Sequence, residues 1–189
     1  MSLIPSSMPD LGSPMPAFEL PNIAGQLISP ANFVGSKALL VVFWCNHCPY
    51  VQHLRDGFIA FARDYQINGL AIVAICANDV TTHPDDSPEL MKIESELHGY
   101  CYPYLYDETQ QVARAFEAAC TPDFFLYDEQ RRLVYRGQFD SSRPGNNTPV
   151  TGSDLRRAVD ALISNQPVSD EQIPSIGCNI KWKPGNEPL

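Results

Sequence analysis

The sequence has no block of basic residues: thirteen Lys and Arg are scattered among twenty-two Asp and Glu, for a net charge of -9. Nucleic acids and anionic membranes are captured by clustered positive charge, so this distribution excludes both as partners. A long apolar run is also lacking. The longest, Ala38 to Cys45, falls far short of the roughly 20 residues that span a bilayer. The start of the chain lacks a basic stretch leading into an apolar one, so no signal peptide is read. No repeat, low-complexity tract or linker divides the 189 residues, which fits one domain. With 44% apolar residues the chain can build a core without covalent staples. The six cysteines are therefore expected as thiols in the cytoplasm rather than as a disulfide framework.

What the sequence does have is one tight cysteine pair. Cys45 and Cys48 lie in "LLVVFWCNHCPYV", directly after an apolar run and directly before Pro49. The run "ALLVVFW" reads as a central strand buried on both faces. Val51, Leu54, Phe58, Phe61 and Tyr65 recur at helical spacing, so Pro49 to about Tyr65 reads as an amphipathic helix. The pair thus falls on a strand–helix junction. "LAIVAICA", Leu70 to Ala77, reads as a second buried strand, and Ser87 and Pro88 open a helix running to about His98. This is a βαβ unit with parallel strands. Around it stand a hairpin over Phe18 to Ser29, a short strand in "PYLYD" and a helix over "ETQQVARAFEAA". Then come an antiparallel hairpin around Glu129 and Gln130 and a last helix capped by Ser153. The expected architecture is α/β: a mixed central sheet with helices on both faces. Residues 1–15 form an extended arm, 16–164 the domain, and 165–189 a tail without usable periodicity that packs on it.

A cysteine at a helix mouth meets unpaired N–H groups and the positive end of the helix dipole, and both favour its thiolate. On that ground Cys45 is expected exposed, with a pKa in the range of about 3.5–7.5 against roughly 8.5 for a free thiol. Cys48, one turn further in, can reach back to resolve a mixed disulfide. His47 between them is expected to bias the pair toward oxidation as a neighbouring cation, and Trp44 to cover it. A structural zinc would need about four ligands. His53, His83, His98 and Cys120 stand isolated in the sequence, so no metal is expected. Inert packing of two small thiols is the bland alternative.

With the pair on this junction the chain resembles the thioredoxin superfamily, and most of all the branch grouped with alkyl hydroperoxide reductase and thiol-specific antioxidant proteins. "MPAFELPNIAGQLISPANF", "FWCNHCP", "CTPDFFLYD" and "RLVYRGQFD" carry the resemblance, and "CNHCPYV" with "PSIGCNIKW" resembles one uncharacterised subfamily. The resemblance implies a thioredoxin-like fold, Cys45 as attacking thiol, Cys48 as resolving thiol, and a substrate-binding loop at Thr121 and Pro122 with a cis bond between them. It also implies a thiol–disulfide oxidoreductase with no cofactor beyond the redox-active disulfide, a disulfide-containing protein or small molecule as substrate, and a thiol electron donor.

Departures from the pattern open further readings. The buried acid that thioredoxins place before the motif is replaced by Val41, Val42 and Phe43, and Val51 stands where related reductases carry a glutamate. Asp79 and Asp123 are the candidate substitutes. A thiol peroxidase with Cys48 as peroxidatic thiol is one alternative, with Arg143 as the only candidate arginine. A non-catalytic binding module on the same scaffold is another. Cys120 and Cys178 are accessory candidates for which packing is the simpler reading, and Cys76 and Cys101 are expected buried.

Overall fold

The computed structural model describes residues 3–188. In chain order the elements are β1 (Leu3–Pro5), β2 (Leu20–Pro21), β3 (Leu27–Ile28), β4 (Ala38–Phe43), α1 (Pro49–Gln66), β5 (Leu70–Cys76), α2 (Pro88–His98) and β6 (Tyr104–Tyr106). There follow α3 (Gln111–Ala115), β7 (Cys120–Thr121), β8 (Asp123–Tyr127), β9 (Leu133–Gly137), α4 (Ser153–Ile163) and β10 (Ile176–Asn179). The central sheet has the order β6-β5-β4-β8-β9. β4 runs parallel to β5 and antiparallel to β8.

β4 occupies the middle because every residue in it is apolar and both of its faces find cover. Successive side chains of a strand point to opposite faces. Leu40 and Val42 join the cluster of Val51, Leu54 and Phe58 from α1 and Leu155 and Val159 from α4. Leu39, Val41 and Phe43 join Val112, Phe116 and Phe18 on the other side. Phe58 is fully buried and lies 5.1 Å from the Trp44 ring, centroid to centroid. Burying one such ring contributes roughly 1.5–3 kcal/mol, so the stripe of α1 fixes that helix against β4 and with it the junction between them. Among the described residues no helix is long and apolar enough to cross a membrane.

Three elements differ from their sequence reading. The helix expected over residues 108–119 shrinks to α3, because Gln110 and Glu117 take left-handed φ of 62° and 53° at its two ends. The Gln110 side chain is drawn away to donate to the carbonyls of Ala77 and Lys181. Ser153 is the first residue of α4 rather than its cap: the Phe139 carbonyl accepts from the N–H groups of Asp154 and Leu155. The early hairpin pairs only β2 with β3, around Asn22, whose Oδ1 accepts from the N–H groups of Ala24 and Gln26.

The tail, which shows no periodicity, contains the middle strand of a second sheet of order β1-β10-β7. Leu3 stands opposite Cys178 on one side of β10, and Cys178 stands opposite Thr121 on the other. The N-terminal arm and the C-terminal tail therefore meet, through β1 and β10, at the turn that joins β7 to β8. The arm is held further along, where Pro14 bridges to Arg132.

Candidate active site

Four segments converge at one end of the central sheet: the β4–α1 junction, the loop after β5, the turn at Thr121 and Pro122, and β10. Cys48 is the N-cap of α1 and Pro49 its first residue, where a missing N–H costs nothing. Cys45 Sγ lies 3.3 Å from Thr121 Oγ1, and Cys48 Sγ lies 3.2 Å from the Thr121 carbonyl oxygen. The Thr121–Pro122 peptide is cis. Cys45 and Cys48 are thiols, and each residue is fully buried. Trp44 closes the site from the core side, donating from Nε1 to the Tyr100 hydroxyl at 3.1 Å.

The loop after β5 brings Asp86, wholly buried, under the Cys-Asn-His-Cys turn. Its Oδ1 accepts from the backbone N–H of Asn46 at 2.7 Å and of His47 at 3.3 Å. Its Oδ2 pairs with His47 Nδ1 at 2.5 Å and accepts from Asn78 Nδ2 at 2.8 Å. Burial alone would raise the pKa of this carboxyl, but the bonds to His47, Asn78 and Asn46 outweigh it and hold the group below its usual range. A buried charge with its lone pairs filled is a stable arrangement that becomes costly when a partner is removed. The turn is tied down elsewhere too. Asn46 donates to the Asp85 carbonyl and its own Oδ1 accepts from the Tyr104 hydroxyl.

The two thiols sit in opposite fields. Burial, the hydrogen bond Cys45 gives to Cys48, and the charge of Asp86 push the Cys45 thiol well above the ordinary range. At Cys48, hydrogen bonds from the Cys178 and Cys45 thiols outweigh the cost of burial, and the N–H of Val51 in the first turn of α1 adds to them. The Thr121 carbonyl opposes a thiolate there, since it can only accept. Against one acceptor stand several donors, so the charge of the pair belongs on Cys48, far below the usual thiol pKa.

These features can be set beside known proteins. Residues 11–136 match the model of the AhpC/TSA family. The chain belongs to the AhpC/TSA family. A hypothetical protein from Sinorhizobium meliloti 1021 is 51% identical with a TM-score of 0.95, the match covering 96% of this chain and 99% of that one. An uncharacterized conserved protein from Geobacillus kaustophilus is 48% identical with a TM-score of 0.96, covering 98% of each chain. A thiol:disulfide interchange protein of the thioredoxin family from Chlorobium tepidum TLS shares the fold at 19% identity, with a TM-score of 0.62 over 82% of this chain and 99% of that one. Among curated proteins none matches. The fold is thioredoxin-like, and AhpC/TSA membership sets thiol-based redox chemistry, disulfide exchange or peroxide reduction, as the general function.

Several expectations change in this AhpC/TSA protein. Cys45 is neither exposed nor a low-pKa thiol, because burial, its hydrogen bond to Cys48 and the charge of Asp86 all raise it, while the donors of the site gather on Cys48. His47 turns to Asp86 instead of standing as a bare cation beside Cys45, and its ring packs on His83 at 4.8 Å between centroids. Asp79 is bound within its own loop by the N–H of Thr81 and the hydroxyl of Thr82. Arg143 is held by Gln138, Asp140 and Ser142. Cys101 is exposed rather than buried. Cys120 is buried, with its thiol on the Pro122 carbonyl at 3.6 Å. Asp123 is completely buried at the head of β8, and burial lifts its carboxyl to about 7.

Donor atoms of Cys45, His47 and Asp86 lie within 4.8 Å of one another, as a metal site would require. The Asp86 oxygens already accept from Asn46, His47 and Asn78, so an incoming cation would have to displace those donors. Asp86 and Asn78 are the residues that sequence reasoning missed. The signal available was their place in the loop after a parallel strand neighbouring β4, the side of an α/β sheet on which functional groups gather.

Proposed function

We propose that the protein is a thiol–disulfide oxidoreductase in which Cys48 is the attacking thiolate and Cys45 the resolving thiol. The observation that supports this is the convergence of the two sulfurs on Thr121, with hydrogen bonds directed to Cys48. The Cys48 thiolate attacks one sulfur of a substrate disulfide, whose S–S bond breaks and whose other sulfur leaves as a thiolate and is protonated. Cys45 then attacks the Cys48 sulfur, giving up its proton to the departing substrate thiol and closing a Cys45–Cys48 disulfide. Two electrons pass to the substrate, a protein or small-molecule disulfide, and an external thiol donor restores the pair in the reducing cytoplasm without any other cofactor. Both sulfurs are covered, so the substrate reaches Cys48 when the cover opens.

In a Cys101→Ser background, which removes the exposed thiol, Cys48→Ser should abolish rapid release of the coloured thiol from dithionitrobenzoate. Cys45→Ser should keep the first release. Rapid release from Cys48→Ser with a silent Cys45→Ser would return the attacking role to Cys45.

Peroxide reduction is the second reading, favoured by the same thiolate. Cys48 would become a sulfenic acid, and Cys45 would displace water from it to form the same disulfide. It predicts saturable hydrogen peroxide consumption and a dimedone-trapped sulfenic acid on Cys48 once Cys45 and Cys178, the two thiols that hydrogen-bond it, are replaced. Slow, unsaturable oxidation counts against it.

A further inference from the structure

The fold sets a third sulfur against the dithiol. β10 is the middle strand of its sheet and puts Cys178 directly opposite Thr121, the residue that both dithiol sulfurs touch. The approach is close: a Cβ on Gly177 would stand 2.0 Å from the Thr121 carbonyl oxygen and 2.7 Å from its carbonyl carbon. Only glycine lets the strand lie there. β1 pairs along the other edge, with Ile4 opposite Gly177 and Leu3 opposite Cys178, so the strand is held on both sides. Cys178 is 2% exposed, joins the same buried cluster as Cys45 and Cys48, and hydrogen-bonds Cys48 with its side chain. Cys120 shows what mere packing looks like in the same sheet: equally buried, its thiol turns to the Pro122 carbonyl.

We propose that Cys178 is a third redox thiol that attacks the Cys48 sulfur and forms a Cys48–Cys178 disulfide. The inference rests on the reading of Cys48 as the attacking residue. When Cys48 carries a substrate sulfur, or is bonded to Cys45, the Cys178 thiolate displaces that partner. One S–S bond forms as one breaks, the Cys178 proton goes to the departing thiolate, and no net oxidation occurs in the exchange itself. If the partner is Cys45, Cys45 returns to the thiol form, and a dithiol reductant later opens Cys48–Cys178. The hydrogen bond to Cys48 is the main cause that keeps the Cys178 proton in place. That hold vanishes once Cys48 is in a disulfide and carries no charge, so the third thiol is released for attack when it has a target.

The sequence makes the product easy to see. Cys45 and Cys48 share the tryptic peptide Ala38 to Arg55, while Cys178 lies in Ala158 to Lys181. A Cys45–Cys48 bond stays inside one peptide, and a Cys48–Cys178 bond joins two. In the Cys101→Ser background, Cys45→Ser treated with dithionitrobenzoate should release two equivalents of coloured thiol rapidly, one by attack of Cys48 and one by displacement from it. The joined peptide should appear in that protein, whose Cys178 is unaltered. Adding Cys178→Ser should halve the release and leave the reagent's mixed disulfide on Cys48. A single equivalent from Cys45→Ser, with a stable mixed disulfide and no joined peptide, overturns the third thiol and leaves the attacking role of Cys48 intact. No rapid release from Cys45→Ser overturns both.

Discussion

The loop after β5 and the strand β10 meet the same two thiols and act on them in opposite senses. Burial and the hydrogen bond to Cys48 keep Cys45 protonated, and the loop adds to them by presenting a carboxylate. The strand presents donors to Cys48 and favours its anion. Each side also contains a buried acid, and these differ just as sharply. Asp86 is filled by donors and stays ionised; Asp123, beside the β7–β8 turn, has a buried Oδ1 without a hydrogen-bond partner and sits near neutral pH. Cys-x-x-Cys at a helix mouth does not decide which sulfur carries the charge. Segments about forty and about a hundred and thirty residues downstream do, by bringing unlike groups to sulfurs three positions apart.

The sharpest way to break this contrast is Asp86→Ala. It strands the His47 ring and the N–H groups of Asn46 and His47, and removing one member of a buried pair of this kind costs about 3–5 kcal/mol. Urea unfolding at neutral pH should show that loss, while Asp86→Asn should cost less and lower the Cys45 pKa in iodoacetamide labelling. An unchanged midpoint for Asp86→Ala would mean that the loop does not order the turn.

The two acids separate by pH. Asp86 has a folded pKa below its unfolded value, near 3.9, so its stabilisation is present above that value and is lost as pH falls through the folded one. Asp123 is the reverse. With a folded value of about 7 it binds its proton more tightly in the native state, so stability should fall by a few kcal/mol as pH rises from about 4 to 7 and level off above. Asp123→Asn should flatten that slope and be more stable than wild type at pH 8, as measured by denaturant midpoints across pH. A slope that survives the substitution assigns it to another group.

Gly177→Ala gives the smallest change in stability and tests only the strand. The obstructing atoms are backbone, so β10 must shift, at about 1–3 kcal/mol. The yield of the joined Cys48–Cys178 peptide should drop, while the Cys45–Cys48 disulfide still forms. Equal yields of the joined peptide would show that the close approach is not what positions Cys178.

Much of the scaffold was legible locally. The all-apolar run of β4, the stripe of α1, the apolar run of β8 and the alternation of β9 each follow a local pattern, and local patterning is what such elements depend on. The ends of α3 were not legible, because Gln110 leaves helical geometry to bond residues in two distant segments. Neither were Asp86, one of several acids in the loop after β5, and β10, whose four residues are ordered by one partner at the start of the chain and another at residues 120–121.

The sequence by itself determined a strand–helix junction with two cysteines at its mouth, because hydrophobic period, Pro49 and the spacing of Cys45 and Cys48 all act over a few residues. Which sulfur bears the charge and which third sulfur adjoins it were decided only in the tertiary structure. Electrostatics and thiol exchange depend on separations of a few ångströms, and those are set here by the loop of Asp86 and the strand of Cys178, brought to the site by sheet pairing and not by nearness along the chain.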